Sequence, residues 1–204
     1  MLRTLMLFFF SLLSISLIAN SNIDIENNFS SNNDSLLKQI NIHLSHSEPD
    51  ISITMLFEII NKERINSDTL TLSKVLLSEA YRQKREYKKG EEILLNIINR
   101  EGVSEYNLAY AYNRIAAIYD ESNLHKSSRY DMVIKYSNLS IVISKKNGFD
   151  KLKYSSYNEI GYIYKNRGDY SRARSFLDSA YNGFIKNGDY ENAITTSINL
   201  SNVG

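Results

Sequence analysis

The sequence predicts an all-α protein built as a row of antiparallel helical hairpins, and three observations carry that prediction. From Ser35 onward apolar residues recur at spacings of three and four, and no run alternates strictly as a half-buried strand would. A single proline stands in 204 residues, which suits long helices because proline removes a donor and clashes inside them. Short polar breaks punctuate the pattern: KKNGFD at 145–150, KNRGDY at 165–170 and KNGDY at 186–190. Each offers Gly for a left-handed helix end, then Asp to cap the next helix. Connections that short force consecutive helices to lie antiparallel.

The elements follow in order. Residues 1–21, MLRTLMLFFFSLLSISLIANS, place Arg3 before an apolar run from Leu5 to Ile18 and end on Ala19-Asn20-Ser21. That is the layout of a secretory signal peptide, shorter than the roughly 20 residues of a bilayer crossing. The expectation is export, to the periplasm of a bacterium; the alternative is a membrane anchor left uncleaved. Residues 22–34 are polar, Asn-rich and without period, and read as a flexible leader. The repeat domain occupies 35–204. Asp34 or Ser35 opens a helix running to about Leu44. Pro49 begins the next, with Ile53, Leu56, Phe57 and Ile60 on its inner stripe. Ser67 or Asp68 caps a third, through Leu72, Leu76, Leu77, Ala80 and Tyr81.

Later segments share a frame: LLSEAYRQKREY from Leu76, RIAAIYDESNLH from Arg114 and EIGYIYKNRGDY from Glu159. In each, a small residue (Ser78, Ala116, Gly161) lies three before a tyrosine (Tyr81, Tyr119, Tyr164). The offsets are 116 − 78 = 38 and 161 − 116 = 45, and Ser201 opens a further copy at 201 − 161 = 40. Extra residues fall around Glu121–Ser128. The clearest copy, 157–181, has Tyr157, Ile160, Gly161 and Tyr164 on its first helix and Ala173, Leu177 and Ala180 on its second. Leu77, Ser78, Tyr81, Gly90, Leu94 and Ile97 match it, as do Tyr112, Ile115, Ala116, Tyr119, Val133, Ser137 and Ser140. These residues resemble the tetratricopeptide repeat, with spacings longer than its usual period of about 34. The resemblance implies an α-α superhelix, a TPR-like solenoid of about four hairpins whose last repeat is incomplete. Gly161 is then small because paired helices approach there, against Ala180 or the next turn.

In that family the first helix of each unit lines a concave groove. Carried onto this sequence, the groove residues are Val75, Glu79 and Arg82; Tyr110, Asn113 and Asp120; and Ser155, Asn158, Tyr162 and Lys165. The resemblance implies a protein or peptide partner there. Val75 and Glu79 stand where a terminal-carboxylate clamp would start, which disfavours that ligand. The final segment, NAITTSINLSNVG, exposes Ile194, Ile198, Leu200 and Val203 to a missing neighbour. The expectation is the N-terminal part of a longer protein, resembling exported sensor regions that continue into a transmembrane helix and a histidine kinase or a helix-turn-helix domain. A free-standing periplasmic scaffold is the alternative.

Chemistry is scarce. No cysteine occurs, so disulfides, thiolate metal sites and a thiol nucleophile are excluded. A formal charge of +1 gives no basic footprint for nucleic acid. There is no phosphate-binding Gly loop, nucleophile elbow or HExxH. His43 and His46, three apart, lack a nearby third ligand of suitable spacing other than Glu48 or Asp50. Glu91-Glu92 and Asp120-Glu121 read as solvated carboxylates, because adjacent helical residues do not face each other. The cluster Arg82, Lys84, Arg85, Lys88 and Lys89 is a solvated corner or a dock for an acidic partner. Neither catalytic residues nor a cofactor or metal are expected; an enzyme with an unfamiliar site is the competing reading.

Overall fold

The structure, a computed structural model, describes residues 33–204 except 123, 126, 127, 202 and 204. The signal-peptide segment and nearly all of the polar leader lie outside the described residues. The helices are α1 (33–45), α2 (Pro49–Ile60), α3 (Ser67–Gln83), α4 (Tyr87–Ile98), α5 (Glu105–Glu121), α6 (Arg129–Asn147), α7 (Asp150–Asn166), α8 (Tyr170–Lys186) and α9 (Tyr190–Ser201). No strand occurs among the described residues. The protein is an all-α, TPR-like solenoid.

One turn geometry recurs at five helix junctions. The backbone N–H groups of Glu48, Glu86, Phe149, Asp169 and Asp189 reach back to the carbonyls of His43, Tyr81, Ser144, Tyr164 and Phe184, at 2.8–3.0 Å. Each such turn needs a left-handed residue just past the helix end. Gly148, Gly168 and Gly188 supply it at three junctions, with φ of 73°, 77° and 70°. Ser47 and Arg85 occupy the same place with φ of 58° and 60°, conformations costly for a residue with a Cβ. Asp169 caps α8 by accepting from the Arg172 N–H at 3.1 Å, and Asp189 receives the Asn192 N–H at 3.4 Å. Two cap expectations shift. Asn66, not Ser67 or Asp68, caps α3, accepting from the Thr69 N–H at 2.7 Å. Asp150 lies inside the first turn of α7, after Phe149 at the cap position.

The helices pair as α1/α2, α3/α4, α5/α6 and α7/α8, with α9 packed on α8. The repeat positions on the second helices are all buried: Gly90, Leu94 and Ile97; Val133, Ser137 and Ser140; Ala173, Leu177 and Ala180. Gly161 is small for the expected reason but against different atoms. A Cβ there would stand 2.7 Å from Leu177 Cγ and 3.2 Å from the Ala173 carbonyl, so Leu177 and Ala173, not Ala180, close the approach. Gly90 meets Ile118 and the Ser78 carbonyl in the same way. On α2 the buried stripe is Ser52, Leu56 and Ile59, and Phe57 turns outward, 41% exposed. Tyr119 is fully buried, whereas Tyr81 and Tyr164 sit half-buried at the seam.

Candidate functional site

Beyond its hairpin partner, each first helix touches the next first helix: α3 meets α5, α5 meets α7 and α7 meets α9. The second helices α4, α6 and α8 do not meet one another. The row α3–α5–α7–α9 therefore lies on the inside of the curve. Polar side chains bridge its steps. Gln83 Nε2 donates to the Leu44 carbonyl at 3.0 Å, joining α3 to α1. Asn113 Nδ2 donates to the hydroxyls of Ser155 and Ser156 at 3.3 and 3.1 Å, joining α5 to α7. Asn199 Nδ2 donates to Asn158 Oδ1 at 3.2 Å, and Lys165 Nζ donates to Asn199 Oδ1 at 3.3 Å, joining α7 to α9.

The ten groove residues named from the sequence divide under this geometry. Val75 and Asn113 are fully buried. Val75 packs with Leu94, Ile97 and Ile115, and Asn113 is wedged between two helices, so neither presents a side chain to a ligand. Glu79 is only 6% exposed. Arg82, Tyr110, Asp120, Ser155, Asn158, Tyr162 and Lys165 keep part of their surface. Lys165 Nζ lies 4.6 Å from the centre of the Tyr162 ring, a cation–π contact at the groove wall.

An ion network fills the α3–α5 step. Glu79 receives Arg82 Nε at 2.8 Å, Arg82 Nη2 at 2.6 Å and Arg114 Nη1 at 3.1 Å. Arg82 Nη1 continues to Glu121, and Arg114 turns its other nitrogens onto Asn113 Oδ1. Burial alone would push the Glu79 carboxyl up, but the two guanidiniums outweigh it and hold it near 2. One step further the balance reverses. Burial, with neighbouring Asp120 adding to it, raises Glu159 to about 7, and Arg114 and Arg82 pull it back only in part. Asp120 is likewise raised to about 6 by burial, against a distant Arg129 at 3.9 Å.

Arg114, Glu159 and Asn199 belong to this face and escaped the sequence reading. Arg114 and Glu159 carried a signal, since 159 − 114 = 45 repeats the 45-residue offset between Ala116 and Gly161. The carboxylates read as solvated need correcting as well. Glu91 is buried on α4, where its Oε1 accepts from Tyr119 Oη at 2.8 Å and meets His125 Nε2 at 2.9 Å. Asp120 is half-buried. His43 Nδ1 pairs with Glu48 Oε2 at 2.6 Å, and among the described residues no group of three His, Asp or Glu could hold a metal. In the basic cluster, Arg82 is taken by Glu79 and Glu121, Lys84 by Asp50 and Lys89 by Glu86. Arg85 and Lys88 stay outside these pairs. Two open clefts of about 680 and 670 Å³ flank that corner, sharing Arg85, Tyr87 and Glu121.

No family model matches the chain, and no curated protein matches it. Solved structures do. The chain is similar to BtubC (BKLC) from P. vanneervenii, with a TM-score of 0.56 and 15% identity over 83% of this chain and 78% of that one. It is equally similar to a putative kinesin light chain of Podosopora anserina with nearly identical TPR-like repeats. That match has a TM-score of 0.56 and 13% identity, over 83% of this chain and 84% of the other. At such identities the likeness establishes the fold. Among the described residues no helix is long and apolar enough to cross a membrane.

Proposed function

We propose that this chain is a non-catalytic module that binds a protein or an extended peptide along the row α3–α5–α7–α9. One observation carries the reading. The half-buried side chains facing the inside of the curve mix a ring, an amide and charges: Tyr162, Asn158, Arg82, Asp120 and Lys165. Amides suit a peptide backbone, and rings and charges suit its side chains. The TPR-like neighbours support the reading by fold alone. We further propose that the module is exported and forms the sensory or scaffold part of a longer bacterial regulator, of the histidine kinase or helix-turn-helix kind. The signal-like pattern of residues 1–21 supports export, and repeat arrays resembling exported sensor regions support the rest.

The binding reading is tested by joint substitution of Asn158→Ala and Tyr162→Ala. Capture of partners from extract of the source cells is expected to fall at least ten-fold, with far-UV circular dichroism unchanged. Undiminished capture refutes groove binding. Export is tested by the mass of material recovered outside the cytoplasm: a mature chain beginning near Asn22 supports it, and an intact Met1 in a membrane fraction refutes cleavage. Reading the gene past codon 204 tests the regulator proposal, which an immediate stop codon would overturn in favour of a free-standing scaffold.

A further inference from the structure

Three Asn-Gly pairs stand in the chain, Asn147-Gly148, Asn182-Gly183 and Asn187-Gly188, and the fold treats them differently. Asparagine before glycine is chemically labile, because a glycine nitrogen has no side chain beside it to shield the asparagine amide carbon. At the first pair both residues are exposed, but Asn147 Nδ2 donates to the Ile143 carbonyl at 2.9 Å, which holds the amide back against its own helix. At the second pair Gly183 is buried inside α8, with its nitrogen in the helical ladder. The Tyr154 ring covers it, 2.3 Å from where a Cβ would stand. At the third pair both residues are exposed at the end of α8, and the Asn187 side chain has no hydrogen-bond partner among the described residues. The Gly188 N–H makes a single turn bond to the Ile185 carbonyl at 3.1 Å, and an exposed helix end opens such a bond at little cost.

We infer that Asn187 is a site of spontaneous modification, where deamidation through a cyclic imide marks and loosens the α8–α9 joint. The Gly188 nitrogen attacks Asn187 Cγ. A C–N bond forms, the Cγ–Nδ2 bond breaks, and Nδ2 leaves as ammonia with the proton from the glycine nitrogen. Water then opens the imide at either carbonyl. Opening at Cγ leaves aspartate; opening at the main-chain carbonyl leaves isoaspartate, whose chain runs through the side-chain carbon and is one methylene longer. Only water and solvent base are consumed or used. Either product puts a carboxylate at the C-terminal end of α8, where the helix dipole opposes negative charge. The isoaspartate also draws the N–H groups of Gly188 and Asp189 away from the Ile185 and Phe184 carbonyls, which they meet at 3.1 and 2.9 Å. Asp189 in turn receives the Asn192 N–H at the start of α9. Because α9 carries Asn199, which is bonded to Asn158 and Lys165, the loosening reaches the concave face.

The test incubates the full chain at mildly alkaline pH, once folded and once in urea, and follows the three asparagines by digestion and mass spectrometry. In the folded chain Asn187 is expected to convert about five-fold faster than Asn147, the margin that one exposed hydrogen bond supplies. Asn182 should be slower than either. In urea, where the fold no longer distinguishes the pairs, the three rates should converge. The melting temperature of the parent should fall as isoaspartate accumulates, and that of Asn187→Gln should hold through the same incubation. Asn147 or Asn182 keeping pace with Asn187 in the folded chain overturns the assignment, as does an Asn187 that converts in urea but not when folded. No conversion in either state overturns the chemistry. A parent converted at Asn187 with an unchanged melt, or an equal fall in Asn187→Gln, overturns the loosening of the joint.

Discussion

Gly161 offers the sharpest check on how the hairpins close. Replacing it with leucine puts a Cβ 2.7 Å from Leu177 Cγ, 2.9 Å from Leu177 Cδ2 and 3.2 Å from the Ala173 carbonyl. The first two contacts are closer than carbon atoms tolerate, and the third is with backbone, which yields least. Overpacking of this kind costs about 1–3 kcal/mol, and leucine's better helix propensity returns about 0.8 kcal/mol. Three further side-chain carbons must also be housed, so a net loss of about 1–3 kcal/mol is expected. The neighbour supplies a control. Leu177 is fully buried, so Leu177→Ala alone should cost about 2–5 kcal/mol. In the double variant the new leucine fills part of that hole, and the two losses should fall short of their sum by about 1 kcal/mol or more. Urea denaturation followed by circular dichroism at 222 nm reads all four proteins. Additive losses, or a Gly161→Leu variant as stable as its parent, would refute the packing of α7 on α8 described above.

Two further substitutions probe the ion network and the turns. Glu79→Gln should destabilise by about 3 kcal/mol, since it leaves Arg114 without a carboxylate and Arg82 with Glu121 alone. The Glu79 carboxyl is held low, so its stabilisation is present above its ordinary range near 4.5 and is lost as pH falls toward 2. Acid titration should therefore be shallower in the variant, and a matching profile would remove the charge from the account. Asp120 and Glu159 act in the opposite sense. Raised acids favour the folded state most at low pH, and that contribution fades as pH rises through about 6 and 7. Arg82, Arg114, Glu121 and Arg129 are the charges that face them. Arg85→Gly should stabilise by about 0.5–1 kcal/mol by relieving φ of 60°, whereas Gly148→Ala, at φ of 73°, should cost about 1 kcal/mol. Chemical denaturation midpoints check both, and equal signs would sink the turn assignment.

The architecture was legible because its determinants are local. Helical period, the Gly-Asp punctuation and the small residue three before a tyrosine each report on neighbours a turn away: Ser78, Ala116 and Gly161 are buried, and Gly148, Gly168 and Gly188 take the left-handed turns. The groove was only partly legible. Its residues were placed by repeat frame, which fixes the helix and the turn but not how closely adjacent helices press together. Val75 and Asn113 lie on first helices, as expected, but their neighbours close over them. Glu91 looked solvated beside Glu92, because nothing local announces that Tyr119, 28 residues on, delivers a hydroxyl to it. Glu159 went unnoticed for a related reason: its character comes from burial between helices and, after that, from Asp120 on another helix.

The rungs that join first helices also occupy the face proposed to meet a partner. Asn158 holds Asn199, and Lys165 holds the same amide, so a peptide that recruits either group must loosen the α7–α9 step. Ligand occupancy and superhelical pitch then share one set of bonds, as do the load on a coil spring and its rise per turn. A solenoid wired in this way would register its cargo as a change of shape along its length.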